Sequence, residues 1–363
     1  MSHSPLAFDH VTLGQRVLFG SGRAAEHVAA AVGHLGAKRV MVIAAAQEAE
    51  IAQGAAAGIE VAYVHSDVVM HVPAKAADDA RAAAEERGID LIVSVGGGST
   101  TGLAKAVALT TGIPIVAVPT TYAGSEATNV WGLTEGARKR TGVDDRVLPV
   151  TVVYDAKLTL SLPVGLSVAS GLNGIAHCVD SMWAPRADPI NSAMAAEGIR
   201  ALAAGLPAIA TEPSDLTGRE LALYGAYLSA VAFASAGSGM HHKICHVLGG
   251  TFNLPHAQTH ATVLPYVLAF NAPAAPEAAA RIAAAFGAAD ALGGLQSLRE
   301  KLDAPKALAD YGFTEGDIAE AAAVALPAIP ASNPRPVTAA NLTALLTAAL
   351  AGESPQTFAE NAD

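Results

Sequence analysis

Histidines gather in three short stretches between residues 173 and 260 of this 363-residue chain. The stretches are residues 173–177, which contain Asn173 and His177; residues 241–246, which contain His241, His242 and His246; and residues 256–260, which contain His256 and His260. Asn173 precedes His177 by four residues, and His242 precedes His246 by four. On a helix this spacing places both members of a pair on one face, with β-carbons about 5 to 6 Å apart. A lone histidine is usually structural, but several in a mostly apolar sequence predict a site where imidazoles bind a ligand or move a proton.

A glycine-rich turn follows an apolar run in the N-terminal half. Residues 91–95 are typical of a buried strand, residues 96–98 are glycines, and Ser99 and Thr100 open a helix that carries Lys105. Glycines let backbone N–H groups approach a pyrophosphate closely, and a helix N-terminus adds partial positive charge. The G-x-G-x-x-G fingerprint is incomplete, because Thr101 stands where the last glycine is expected. The turn predicts a nicotinamide dinucleotide site, with an ordinary strand-to-helix turn as the alternative.

A second polar turn, residues 118–126, follows the next strand. Because the carboxyl ends of neighbouring parallel strands meet at one edge of a sheet, both turns are expected to line one crevice. The expected cofactor-binding residues are Gly96, Gly97, Gly98, Ser99, Thr100, Thr120, Thr121 and Ser125. The strand at residues 39–44 runs into alanines, not into an acid that would bind the ribose 2′-hydroxyl, so either NADH or NADPH is expected to serve.

The elements that carry these turns alternate between strands and helices. Apolar runs predict strands at residues 39–44, 59–64, 90–95, 115–118 and 150–154, and residues 76–87 and 101–111, each closed by a glycine, predict helices. This alternation predicts a parallel sheet with helices on both faces. Beyond about Thr159, alanine-rich segments punctuated by prolines predict helices only. The expected fold class is α/β, with a Rossmann-like dinucleotide-binding domain at residues 1–158 and an all-α substrate and catalytic domain at residues 159–363.

Composition and charge narrow the range of partners and locations. The formal charge is −11 and no basic cluster exceeds residues 138–140, so nucleic acid is not an expected partner. The first residues lack a charged segment followed by an apolar one, so a cytoplasmic location is expected. Residues 221–240 are uncharged and long enough for a membrane span, but their alanine, serine and glycine content favours a buried helix, so no membrane is expected. Cys178 and Cys245 fit neither a disulfide framework nor a four-thiolate metal site.

Several separated motifs resemble the iron-containing alcohol dehydrogenase family, in the family's order and over nearly the whole chain. They are residues 96–99, 119–121 and 124–126, His177, and the run from His242 to His256. More narrowly, residues 98–105, 122–126, 131–136 and 241–250 resemble the maleylacetate reductase subgroup. The resemblance implies NAD(P)H-dependent reduction of the conjugated carbon–carbon double bond of 2-maleylacetate, giving 3-oxoadipate in the degradation of aromatic compounds. It also implies a homodimer.

Two positions depart from the general family pattern. The family's metal ligands are an aspartate and three histidines, and they correspond to Asn173, His177, His242 and His256. A neutral amide is a weaker ligand than a carboxylate, so no tightly bound metal is expected, although three histidines alone can hold zinc. Gly102 stands where the wider family has an aspartate beside the phosphate turn, in agreement with the reductase subgroup.

Given this resemblance, the reaction suggests roles for the predicted site residues. Hydride addition to the alkene places negative charge on the ketone oxygen, which His242 and His246 are expected to stabilise. His177 and His256 are expected to shape the pocket. The two carboxylates of a small dicarboxylate substrate call for cations or oriented donors. The expected substrate-binding residues are Asn173, Thr121, Tyr122, Lys243 and Arg138.

Three alternatives stay open at this point. A metal-dependent alcohol dehydrogenase would keep the fold and most of the motifs. A lyase similar to dehydroquinate synthase would use bound NAD only transiently. A nicotinamide-binding protein without activity would bind the cofactor and turn nothing over.

Overall fold

The computed structural model describes residues 7–135 and 138–361. By their internal contacts these residues form two compact units. The first, which we call the sheet unit, contains Gly14–Gly174 and Ala201–Ala230; the second, the histidine unit, contains the described residues before Gly14, Ile175–Arg200 and the chain from Val231 onward. The predicted domain boundary between residues 158 and 159 stays a prediction, since compactness does not measure which segments fold alone.

The sheet unit is built on a parallel sheet. Its strands are β1 (Arg16–Phe19), β2 (Val40–Ile43), β3 (Val61–His65), β4 (Leu91–Gly96), β5 (Ile115–Pro119), β6 (Val130–Glu135), β7 (Arg138–Val143) and β8 (Thr151–Tyr154). Six of them pair in the order β1-β8-β5-β4-β2-β3, and every pair is parallel. The other two, β6 and β7, form an antiparallel hairpin.

Helices cover both faces of this sheet. They are α1 (Ala24–Leu35), α2 (Ala49–Ala55), α3 (Ala74–Glu86) and α4 (Gly98–Thr111). Successive strand residues point to opposite faces, so each strand contributes to two cores. Val42 and Val93 pack with α1 and α2, whereas Met41 and Ile92 pack with α3 and α4. Burial on both faces explains why these strands read as continuous apolar runs.

The rest of the described chain is helical. The helices are α5 (Val164–Ser181), α6 (Pro189–Thr211), α7 (Leu216–Ala236), α8 (Met240–Phe252), α9 (His256–Asn271), α10 (Pro276–Phe286), α11 (Ala291–Lys301), α12 (Ile318–Ala325), α13 (Ala339–Ala351) and α14 (Pro355–Asn361). The chain passes between the two units inside α5, α6 and α7. In the histidine unit, Ile244 of α8, Val263 of α9 and Leu345 of α13 belong to one buried apolar core. That core holds α8 and α9, the histidine-bearing helices, together.

The predicted fold class is confirmed: an α/β part with a parallel sheet is followed by helices. The strand β1 and the hairpin of β6 and β7 were not predicted. β1 is a four-residue edge strand with a half-exposed pattern, which leaves little signal in the sequence. Residues 221–240, predicted as one buried helix, are in fact divided, because α7 ends at Ala236 and α8 begins at Met240.

Among the described residues, two helical stretches are each long and apolar enough to cross a membrane, judged by length and composition alone. They are α6 and Pro276–Lys301. In the second, α10 ends at a left-handed Gly287 before α11 begins. The expectation that the protein does not enter a membrane stays a prediction.

Candidate active site

Asp180 of α5 occupies the N-terminal end of α8. Its carboxylate accepts hydrogen bonds from the backbone N–H groups of Gly239, His241 and His242, at 2.9, 3.4 and 3.3 Å. The first N–H groups of a helix lack partners within it, and a carboxylate there also interacts favourably with the helix dipole. A β-carbon at Gly239 would collide with the Asp180 carboxyl group, so this approach requires glycine. Asp180 therefore fixes the first turn of α8.

The same carboxylate orients His242. Nδ1 of His242 lies 2.8 Å from Oδ2 of Asp180, and both side chains are buried. Burial raises the pKa of Asp180 to about 7, against the opposing effect of the backbone donors, and burial lowers the pKa of His242 well below its usual value. We infer that the neutral imidazole donates its Nδ1–H to the carboxyl oxygen, which leaves a lone pair on Nε2. That Nε2 atom is buried and has no hydrogen-bond partner among the described residues.

Two further rings pack against His242. His177 stacks on it with ring centroids 4.8 Å apart. Phe233 lies 4.2 Å from the ring of His242 and 4.7 Å from that of His177. Burial and, to a lesser extent, the nearby His256 together lower the pKa of His177 to about 3. His177, like His242, is therefore neutral near pH 7.

His246 and His256 form the accessible part of the cluster. Both are exposed, whereas His177 and His242 are 7% and 2% exposed. The ring of His246 lies 6.0 Å from that of His242, and the ring of His256 lies 4.4 Å from that of His260. The structure thus gathers the four predicted histidines into one cluster. The predicted substrate residue Lys243 is half-buried in the first turns of α8.

Sequence reasoning assigned no role to Asp180, His241 or His260. Asp180 follows Asn173 and His177 at the seventh and third positions along α5, a helical spacing that places all three on one face. Nε2 of His241 and Nδ1 of His260 lie 2.9 Å apart, and burial lowers the pKa of both imidazoles. The spacing on α5 held a signal for Asp180, but the pairing of His241 with His260 depends on the packing of α8 against α9.

Asn173 lies on α5, one turn before His177. Its side chain is 1% exposed, and its Oδ1 atom has no hydrogen-bond partner among the described residues. Buried amide oxygens in folded proteins are normally hydrogen-bonded. Asn173 is therefore an available acceptor for a ligand donor.

The glycine turn of the sheet unit forms a small polar cradle. β4 and β5 are neighbours, with Gly96 opposite Pro119, so both predicted turns begin at the same edge. The helix α4 begins at Gly98 without a side-chain cap, which leaves its first N–H groups without a helical partner. A β-carbon at Gly97 would lie 3.0 Å from the methyl carbon of Thr121. Open N–H groups and missing side chains fit a dinucleotide pyrophosphate.

Glu48 lies beside this cradle and was missed in the sequence. It follows β2 by five residues, and its Oε1 accepts a hydrogen bond of 2.5 Å from Oγ1 of Thr120. A β-carbon at Gly96 would collide with the carboxyl group of Glu48 and with the Thr100 side chain. Partial burial raises the pKa of Glu48. Alanines follow β2 directly, and Glu48 comes later, as the last residue of a short 3₁₀ turn that brings it to the sheet edge. The position after the strand therefore gave no indication of an acid.

The other predicted site residues differ in how exposed their side chains are and in whether those side chains already have hydrogen-bond partners. Thr121 and Ser125 are half-buried. Tyr122 is fully buried, and its hydroxyl lies 3.3 Å from both Oγ1 of Thr159 and Nη1 of Arg219. Its hydroxyl thus already has partners within the sheet unit. The side chain of Arg138 lies outside the described part of the structure.

Two family profiles match the chain. The profile described as iron-containing alcohol dehydrogenase matches residues 14–156, and that of the C-terminal part of the Fe-containing alcohol dehydrogenase family matches residues 167–350. The chain belongs to the iron-containing alcohol dehydrogenase family. The first profile covers the strands of the sheet unit, and the second covers most of α5 and all of α8 and α9, the helices that carry the histidines.

Individual relatives narrow the comparison within this family. A maleylacetate reductase of Sphingobium indicum is 47% identical over 97% of this chain and 100% of its own length. A crystal structure of maleylacetate reductase from a Rhizobium species is 42% identical, with a TM-score of 0.91 over 96% of this chain and 99% of that one. A crystal structure of an iron-containing alcohol dehydrogenase from Corynebacterium glutamicum is 64% identical, with a TM-score of 0.96 over 98% of this chain and 100% of that one.

The family's metal positions fit a divalent ion only poorly in this chain. The donor set of Asn173, His177, His242 and His256 carries no negative charge, because an amide replaces the carboxylate. The rings of His177 and His242 are stacked, with an interplanar angle of 14°. No reaction step is therefore assigned to an ion at these positions.

Proposed function

We propose that this protein is an NAD(P)H-dependent reductase that converts 2-maleylacetate to 3-oxoadipate. Curated maleylacetate reductases 41 to 47% identical to it match 94 to 97% of the chain. The structural observation that carries the proposal is the cluster of His177, His242, His246 and His256, in which Asp180 orients His242, with a neutral amide at the first metal position of the family. Such a cluster suits proton transfer and hydrogen bonding to an enolate.

The reaction requires one hydride and one proton. A bound nicotinamide would supply the hydride, which would add to the alkene carbon remote from the ketone. The electron pair of the double bond moves toward the ketone oxygen and forms an enolate. Protonation of the carbon next to the ketone then gives the saturated product, so the protein must stabilise the oxygen and deliver one proton.

The histidines divide these tasks by their environment. His242 has its Nδ1–H held by Asp180, so its Nε2 is an acceptor and not, while neutral, a donor to the enolate. His246 and His256 are exposed, so solvent reaches both rings. We assign enolate stabilisation and proton delivery to His246 and His256, and placement of the substrate to His242 and His177. This assignment replaces the sequence-based one, in which His242 was a donor.

The cofactor is assigned to the cradle of the sheet unit. The open N–H groups at the start of α4 would hold the pyrophosphate, and Thr120, Thr121 and Ser125, which follow the next strand, would border it. Glu48 lies where it can accept a hydrogen bond from a ribose hydroxyl and repel a 2′-phosphate. This favours NADH over NADPH, although both are expected to be used.

A carboxylate of the substrate is assigned to Lys243, and Thr121 stays a prediction from the sequence. Lys243 lies next to His242 in the sequence and is half-buried, so its ammonium group has access to a ligand. The Tyr122 hydroxyl is a weaker candidate, because Thr159 and Arg219 already engage it. Arg138 stays a prediction from the sequence. Asn173 is proposed to accept a hydrogen bond from the ligand through its unpartnered Oδ1.

The test is NADH oxidation by 2-maleylacetate, measured with and without a strong chelator. The proposal requires stoichiometric NADH consumption and formation of 3-oxoadipate, identified by mass spectrometry. Oxidation of a simple alcohol that is abolished by the chelator would instead favour a metal-dependent alcohol dehydrogenase, the second candidate, which the 64% identical Corynebacterium relative supports. We also propose that the protein acts in the cytoplasm as a homodimer, without nucleic acid or membrane partners.

A further inference from the structure

His241, Cys245 and His260 bring three metal-ligand atoms together inside the histidine unit. His241 and Cys245 are one turn apart on α8, and His260 lies on α9. Nε2 of His241 lies 2.9 Å from Nδ1 of His260 and 3.6 Å from Sγ of Cys245. All three ligand atoms lie within 4.8 Å of one another, and the three side chains are 0%, 2% and 0% exposed. No ligand to the family's metal is among them.

The spacing of these atoms suits a zinc ion. Zinc binds imidazole nitrogen at about 2.0 to 2.1 Å and thiolate sulfur at about 2.3 Å, so ligand atoms around a tetrahedral ion are separated by roughly 3.3 to 3.6 Å. The distance from His241 to Cys245 already has this value. The distance from Nε2 of His241 to Nδ1 of His260 must widen by a few tenths of an ångström, and a ligand pair as far apart as 4.8 Å must close by about 1 Å, so the side chains rotate when the ion binds.

The donor types also favour zinc over harder cations. Two imidazoles and one thiolate are nitrogen and sulfur ligands, which magnesium and calcium avoid. Without a metal, burial raises the pKa of the Cys245 thiol well above its usual value, so the group is protonated. Binding of an ion forms a bond to sulfur and releases one proton per ion. The thiolate gives this donor set a negative charge, which the donor set at the family's metal positions lacks.

We propose that His241, Cys245 and His260 form a zinc site, separate from the metal positions of the family. The ion ties α8 to α9 and replaces the hydrogen bond between the two imidazoles. The rings of His241 and His260 lie 5.2 and 4.8 Å from that of His242. An ion here therefore stiffens the helix pair that carries the histidine cluster, and it is independent of which substrate the protein reduces.

The first experiment uses the full-length wild-type protein and needs no variant. Metal-free protein prepared with a chelator is dialysed against zinc and analysed for bound metal, and a second sample is titrated with cobalt. We expect one zinc per chain, one proton released per zinc, and an intense thiolate-to-cobalt charge-transfer band. Absence of bound zinc, or bound cobalt without the thiolate band, would overturn the proposal.

Variants then locate the ion. Cys245→Ser should weaken zinc binding by about a hundredfold or more, since loss of a direct ligand exceeds the effect of losing an outer partner. Cys178→Ser is the matched control, because Cys178 is also a buried free thiol of the histidine unit. His177→Gln removes a family metal position and none of the three proposed ligands, so it should retain zinc. Loss of zinc in His177→Gln with retention in Cys245→Ser would place the ion at the family's positions and refute the proposal.

Discussion

The glycine turn of the sheet unit and the histidine cluster of the histidine unit present their polar groups in different ways. At the turn, open backbone N–H groups and absent side chains make the cradle, and Glu48 reaches it from β2. In the cluster, side chains provide the polar groups, and the Asp180 carboxyl group is hydrogen-bonded both to the start of α8 and to the ring of His242. The contrast shows that a binding surface can be made from backbone, whereas acid–base chemistry requires oriented side chains.

If this contrast holds, kcat and cofactor affinity should respond to different variants. Variants in the histidine cluster should lower kcat and leave cofactor affinity unchanged. Variants at the glycine turn should change cofactor affinity and leave the chemical step unchanged. A variant that changes both together would break the comparison.

The largest effect is expected from Asp180→Asn. The amide keeps the size of the side chain but loses the charge that holds the Nδ1–H of His242, so the imidazole adopts the wrong tautomer or orientation. We expect kcat to fall about a thousandfold, with an unchanged dissociation constant for NADH by fluorescence titration.

Asp188→Asn is the control for this variant. Asp188 also accepts from a histidine, His10, at 2.8 Å, and from backbone N–H groups at the start of α6. Its substitution should leave kcat near the wild-type value. Equal losses in both variants would mean that Asp180 acts through stability alone.

The second largest loss of kcat is expected from substitution of His246, whose imidazole is exposed. His246→Ala removes a group that donates to the developing enolate, so kcat should fall about a hundredfold. His242→Ala should cost a similar factor. Steady-state kinetics with 2-maleylacetate measure both losses, and near-normal turnover in both variants would remove these residues from the chemistry.

A smaller effect is expected at Glu48. Glu48→Gln removes the carboxylate beside the cradle, so the ratio of NADPH affinity to NADH affinity should rise about tenfold, or about 1.4 kcal/mol. Calorimetric titration with each cofactor measures the ratio without turnover. Glu50→Gln, at an exposed position on α2, is the control. An unchanged ratio in Glu48→Gln would mean that the carboxyl group does not meet the ribose.

The smallest effect concerns the pH dependence of stability in the sheet unit. Lys105 is 1% exposed and its ammonium group bonds to the carbonyl oxygens of Thr128 and Val130. Burial lowers the pKa of Lys105 to about 7 from its usual value of 10.5, although Glu126 opposes this effect. Between these values the unfolded state binds more protons, so this residue makes the free energy of unfolding rise with pH.

Lys105→Met removes this contribution. The melting temperature of the wild type, relative to that of Lys105→Met, should therefore rise by a few degrees between about pH 7 and pH 10. Lys75→Met replaces an exposed lysine of the same unit and should show no such trend. A constant difference across this range would show that Lys105 is charged in the folded protein.

The sequence predicted the sheet, the glycine turn and the four histidines from local patterns. Apolar runs buried on both faces are visible in β4 and β5, and the spacing of His242 and His246 is visible on α8. Glu48 and His260 were missed as partners because each meets its partner across elements distant in sequence. The Glu48 carboxyl meets Thr120, 72 residues away, and His260 meets His241, 19 residues away.

The amino-acid sequence by itself determined which segments form strands and helices and which residue types lie at each turn. It could do so because residue spacing and the backbone freedom of glycine act within a few residues. The tertiary structure alone decided that Asp180 holds the Nδ1–H of His242, and that Cys245 lies beside a pair of buried imidazoles. Helix packing decides these contacts, because it sets the distances and burial on which protonation states and ligand geometry depend.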